Sequence, residues 1–202
     1  MAHKSAGIHE VLAQDTVTVP FNDLEAFEAA LQRDGERLAA VIVEPVAANM
    51  GVVPPQPGFL RHLRQATRRQ GILLIVDEVV TGFRLGRSGA QGQYGVQPDL
   101  TTFGKIIGGA LPIGAIGGPR RLMQRLAPVG DVYHGGTFAG HPLSMAAGVA
   151  TLRQLAAQPP YDALERLATR LAGGLRAIAQ RREVPMQINQ AGSMLTLFFS
   201  DG

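Results

Sequence analysis

Two short, unbroken apolar runs, Ala39–Val43 and Ile72–Val76, constrain this chain more than any other feature. Continuous runs of that length, rich in Val and Ile, fit strands of a parallel sheet covered on both faces. Parallel neighbours cannot be joined by a tight turn and need a crossover. The sequence supplies one over Phe59–Gln70, where Phe59, Leu60 and Leu63 form an apolar face and Gly71 provides the stop. The unit is therefore β-α-β, and the fold class is α/β, a mostly parallel sheet with flanking helices. Further strands are expected at Leu100–Phe103 and Ile113–Ile116, and helices at Pro119–Leu126, Pro142–Gln158 and Tyr161–Arg182. In the last of these, Leu164, Leu167, Leu171, Leu175 and Ile178 make one apolar stripe.

The ends are read more sparsely. Residues 1–20 form a loop with one short strand at Thr16–Val19. Asn22 caps the next helix, Glu25 closes a capping box, and the helix runs to about Arg33. Met194–Phe199 is apolar enough for a strand but has no evident partner, which suggests a truncated sequence. Arg61, Arg64 and Arg68 share a helical face and read as a solvated surface.

Composition narrows the function classes. The chain has 202 residues, is 46% hydrophobic and 17% charged, and carries a net charge of +3, too small a bias to argue for nucleic acid. It contains no cysteine, so thiol nucleophiles, disulfides and Cys-ligated metals are excluded. Its five histidines lack metal-ligand spacing. No apolar run approaches the ~20 residues of a membrane span, and Met1–Glu10 lacks the apolar core of a signal peptide. A soluble cytoplasmic enzyme or binding domain is expected, with no membrane or nucleic-acid partner.

Ligands of open parallel sheets bind at the carboxyl ends of the strands. Three polar features fall there: Glu44 after Ala39–Val43, Asp77-Glu78 after Ile72–Val76, and Gly104-Lys105 after Leu100–Phe103. An apolar run closed by Asp-Glu fits an ATPase strand, but that reading needs G-x-x-x-x-G-K-[ST]. Here position 99 is Asp and position 106 is Ile, so the loop fails. The second reading is a pyridoxal phosphate site, which needs a lysine for the cofactor's aldehyde and an acid for its pyridine nitrogen. Lys105 and Asp77 have those chemistries on adjacent strand ends.

Val76-Asp77-Glu78-Val79, Thr81-Gly82-Phe83-Arg84 and Pro98-Asp99-Leu100-Thr101-Thr102-Phe103-Gly104-Lys105 together resemble the signature of class III, fold type I, aminotransferases. Val43-Glu44-Pro45-Val46, Asn49 to Pro55, Gly89 to Gly92 and Gly192-Ser193-Met194 match it too, with the likeness strongest to the glutamate-1-semialdehyde 2,1-aminomutases. The resemblance implies pyridoxal 5'-phosphate as cofactor, covalently held by Lys105, with Asp77 on the pyridine nitrogen and Val79 against the ring. It implies that Asn49 meets the ring hydroxyl, that Glu44 lies near the ring, and that Thr137 reaches the phosphate of a neighbouring subunit's cofactor.

The implied function is amino-group transfer on a small amino substrate, by a homodimer whose sites are shared across the interface. Ala48, His134 and His141 depart from the aminomutase pattern, leaving a class III transaminase for another amino acid or amine as the alternative. Family members are roughly twice this length. The family's Ser-Gly-Thr phosphate loop and ring-stacking aromatic are not found here, so a non-catalytic fragment is a further alternative. Residues 1–158 are expected to be part of the cofactor-binding large domain, and 159–202 the start of a small C-terminal domain.

Overall fold

The computed structural model describes residue 7 and residues 9–200. Its centre is a four-stranded sheet in the order β1 (Ala40–Val43), β2 (Leu73–Asp77), β3 (Leu100–Gly104), β4 (Gly114–Gly117). The first three strands are parallel and β4 is antiparallel to β3. Helix α3 (Phe59–Gln70) makes the β1-to-β2 crossover and ends at Gly71, whose φ of 71° suits a residue without Cβ. The core lies between the sheet, α3 and α2 (Leu24–Asp34), filled by Phe27, Leu31, Phe59, Leu60, Leu63, Leu74 and Val76.

Several expectations need correction. Residues 16–20 form no strand; a short helix, α1 (Glu10–Gln14), precedes them. The cap of α2 is Asp23, which accepts from Ala26 N–H at 2.8 Å. Asn22 stands at φ 67° with its side chain turned to the neighbouring loop, donating to Pro54 O and accepting from Gln56 N–H. β1 is an edge of this sheet and leaves Ile42 64% exposed, so it is not covered on both faces.

Helices α4 (Gly89–Gln93) and α5 (Arg120–Met123) follow, the first unexpected and the second shorter than read. Helix α6 (Pro142–Ala157) and α7 (Tyr161–Arg181) keep their expected places. The α7 stripe does not enter a core within this chain: Leu164, Leu167, Leu171 and Ile178 are exposed, while Ala168 and Ala172 are buried. The last strand, β6 (Met194–Phe198), does have a partner. It pairs antiparallel with β5 (Gln187–Ala191), whose Gln-Ile-Asn-Gln-Ala sequence carries too little apolar signal to be read as a strand.

Arg64 is not simply solvated. Its Nη1 donates to Asp99 Oδ2 at 2.6 Å, and the same oxygen accepts from Leu74 N–H at 2.9 Å. Burial pushes the Asp99 carboxyl up, but the Leu74 amide and the charges of Arg64 and Arg121 outweigh it and hold the group below its ordinary value. A depressed carboxylate stabilises the fold fully above its unfolded pKa of ~3.9 and loses that contribution as pH falls through the lower folded value. Asp99→Ala should cost about 2–4 kcal/mol at neutral pH, since it strands a buried amide and a mostly buried guanidinium. Urea melts at pH 7 and pH 3 check this: the difference between wild type and variant should shrink at the lower pH.

Candidate functional site

The parallel register brings the three strand ends to one rim. Val43 of β1 is level with Val76 of β2, and Asp77 with Thr102 of β3. Glu44, Asp77 and Lys105 therefore leave the sheet on the same side. Asp77 is held by one oxygen: Oδ1 accepts from Val79 N–H at 2.9 Å and from Thr102 Oγ1 at 3.1 Å. Among the described residues Oδ2 accepts no hydrogen bond, so a fixed carboxylate keeps one oxygen available. Thr102 was not singled out from sequence; its signal is the register position opposite Asp77, which pairing alone reveals.

Lys105 opens a short 3-10 turn, Lys105–Gly108, with φ 48°, an uncommon conformation for a residue with a side chain. Such backbone persists where surroundings over-determine it. Here α6 packs on the turn so closely that a Cβ at Gly109 would lie 2.8 Å from Ala147 O, and one at Gly148 would lie against Ile107 O. Gly109 has φ 56° and closes the turn. The Lys105 ammonium is exposed and has no carboxylate partner among the described residues. A Cβ at Gly104 would sit 3.2 Å from Val79 Cγ1, which places Val79 beside the backbone that presents the lysine.

Lys105 and Asn49 line one cleft of about 670 Å³, together with Val52, Val80, Arg84, Ser193 and Met194, and with Leu164, Leu167 and Leu171 of α7. Asn49 stands at the tip of a loop tied by reciprocal bonds between Ala47 and Val53. Glu44 supports that loop, its Oε2 accepting from Ala48 N–H at 3.1 Å. Glu44, Asp77 and Val79 share the rim but are not part of this cleft's lining. Thr137 is elsewhere: it lines a second, apolar cleft of about 720 Å³ with Phe83, Phe103, Phe138 and Met145.

Glu78 departs from its neighbour. It is fully buried, its Oε2 accepting from Thr81 Oγ1 at 2.5 Å and Ala90 N–H at 3.0 Å, and its Oε1 from Gln91 N–H at 2.7 Å. Of the Asp-Glu pair, one carboxylate serves the rim and the other ties the 78–91 segment together. In the sequence Arg84 carries no signal beyond the Thr81-Gly82-Phe83-Arg84 motif, and the fold brings it to the Lys105 cleft.

The class-III aminotransferase family model matches residues 1–202. The chain belongs to the class-III aminotransferase family. Glutamate-1-semialdehyde 2,1-aminomutase of Thermomicrobium roseum is 58% identical over 195 residues, 96% of this chain and 45% of that protein. The ω-transaminase from Sphaerobacter thermophilus superposes with a TM-score of 0.91 at 36% identity, covering 98% of this chain and 45% of that one. A solved transaminase with PLP bound gives a TM-score of 0.90 at 32% identity, with 98% and 47% covered. This class-III chain thus spans about half the length of the curated relatives it matches. Among its described residues no helix is long and apolar enough to cross a membrane.

Proposed function

We propose that this chain supplies the lysine-bearing part of a pyridoxal 5'-phosphate enzyme that moves an amino group on a small amino substrate in the cytoplasm. The observation that supports it best is the rim itself: among the described residues, Asp77 is a fixed carboxylate with a spare oxygen, and Lys105 on the neighbouring strand end is an amine with no carboxylate partner. Those donors suit the group chemically, an acid for a protonated ring nitrogen and an amine for an aldehyde. When bound, pyridoxal phosphate supplies that aldehyde and a ring that withdraws the electron pair released when a C–H bond breaks.

The residues then have distinct roles. Asp77, oriented by Val79 N–H and Thr102, holds the ring nitrogen's proton in place. Lys105 carries the cofactor and, when its amine is free, moves the substrate's proton as a general base. Asn49 hydrogen-bonds the ring hydroxyl, Val79 packs near the ring, and Glu44 keeps the Asn49 loop in position. Residues 1–158 form the cofactor-binding part and 159–202 begin a second unit.

The favoured reaction is the glutamate-1-semialdehyde 2,1-aminomutase reaction, giving 5-aminolevulinate for tetrapyrroles, because curated proteins of that name are 53% and 58% identical to this chain. A transaminase is the second reading, supported by the TM-score of 0.91 to an ω-transaminase. The protein should convert glutamate-1-semialdehyde without any added oxo acid or second amine. Turnover only when such a co-substrate is added would replace the aminomutase reading with the transaminase.

Thr137 belongs to a proposed homodimer, serving the phosphate in the partner's site. Supporting this, Tyr133 and Phe138 are 86% and 73% exposed, and Leu143, Met145 and Val149 continue an uncovered apolar surface onto α6. A charge-assisted bond is worth ~1.5–3 kcal/mol, so Thr137→Val should weaken cofactor retention roughly ten- to a hundredfold. Mixed dimers of Thr137→Val and Lys105→Ala subunits should regain one complete site. No recovery after verified subunit exchange would contradict the cross-subunit role.

A further inference from the structure

The Lys105 cleft contains a second cation for which the proposed chemistry has no use. Its lining includes Arg84 and Lys105 but not one Asp or Glu. Arg84 is half-buried and makes no salt bridge among the described residues. Among those residues its guanidinium makes one hydrogen bond, from Nη2 to Ser193 O at 3.5 Å, the long limit of such a contact. A guanidinium is always charged and presents a planar fork of donors matched to carboxylate and phosphate oxygens. Most of that fork is unspent.

The fold also takes trouble to put it there. Buried Glu78 accepts from Thr81 Oγ1, and Thr81 O accepts from both Arg84 N–H and Leu85 N–H at 3.1 Å. Between them Phe83 is held at φ 58°, a strained conformation for a bulky residue, with its ring packed on Phe103 at 6.0 Å. The turn is thus anchored just past the end of β2, by the residue next to Asp77, and on β3, two residues before Lys105. A side chain whose only task was the weak Ser193 contact would not call for this anchoring.

We infer that Arg84 is the oxyanion receptor of the Lys105 cleft, a specificity-determining residue that selects ligands bearing a carboxylate or phosphate and disfavours plain amines. The inference rests on Lys105 being the cofactor's lysine. The shared chemistry has two sources, the substrate's carboxylate and the cofactor's phosphate, and one assay separates them. Borohydride reduction traps whatever aldehyde Lys105 carries, and an added amine competes by taking that aldehyde from Lys105, which leaves as a free amine with no change of oxidation state.

Trapping of pyridoxal phosphate is compared with trapping of pyridoxal, and competition by 5-aminopentanoate with competition by pentylamine. In Arg84→Gln, one charged ligand of a pair should weaken about ten- to a hundredfold while its uncharged twin is unchanged. Arg84→Lys should restore part of the discrimination. Loss confined to 5-aminopentanoate assigns the substrate carboxylate; loss confined to pyridoxal phosphate assigns the cofactor. Equal loss for charged and uncharged twins, or no loss for any, overturns the receptor role and leaves Arg84 as a brace to the β5–β6 hairpin. Absence of Lys105 trapping in the wild-type protein would instead overturn the underlying functional reading.

Discussion

Glu78→Ala should be among the most destabilising single substitutions in this chain, costing about 3–5 kcal/mol and lowering the urea midpoint accordingly. The side chain is 0% exposed and accepts three hydrogen bonds, from the Thr81 hydroxyl and from the Ala90 and Gln91 amides. Each buried donor left without an acceptor costs roughly 1–3 kcal/mol, against a total stability of ~5–15 kcal/mol for a domain. No compensating collapse is available, because Gly89 lies against the carboxylate with φ 65°, and a Cβ there would come within 2.7 Å of Glu78 Cδ. Glu78→Gln keeps one acceptor and turns an amide NH2 toward donors, so an intermediate loss is expected. A midpoint for Glu78→Ala within error of wild type would refute this account of the Asp-Glu pair.

Lys105→Ala should abolish amino-group transfer, by about a thousandfold or more, while leaving the urea midpoint nearly unchanged. Under the proposed function the chemical loss combines the general base, ~10²–10⁴-fold by itself, with the covalent hold on the cofactor. Stability is spared because the ammonium is exposed and unpaired among the described residues. Removing the side chain also does not relieve the backbone, since alanine is still an L-residue at φ 48°. Kinetics and melts on the same preparation check both halves. A variant that keeps activity would remove Lys105 from the mechanism.

The contrast between these two lysine and glutamate outcomes shows what sequence could and could not carry. The β-α-β unit was legible because unbroken apolar runs and a capped amphipathic helix are local patterns, and they placed Asp77 at a strand end directly. Thr102 was not legible, because its bond to Asp77 depends on β2–β3 register across 25 positions. The division of labour between Asp77 and Glu78 was hidden for the same reason: adjacent side chains on a strand end point to different surroundings, and two of the three donors for Glu78 come from α4, a five-residue helix of Gly, Ala and Gln with no periodicity. Asn22 misled because two capping residues stand together, and its side chain is committed instead to a loop 32–34 positions away. The stripe on α7 was a sound reading of periodicity, but a stripe states only that a surface is apolar, not what covers it.

The central claim is that Lys105 is the residue to which pyridoxal phosphate is joined. The chain makes the measurement unusually clean, since it has only two lysines, Lys4 and Lys105. Incubation with pyridoxal phosphate, borohydride reduction, proteolysis and peptide mass spectrometry would locate the adduct. A saturable adduct on the Lys105 peptide, absent in Lys105→Ala and reduced in Asp77→Asn, is the predicted result. Equal, unsaturable labelling of Lys4 and Lys105, unaltered by Asp77→Asn, would contradict it.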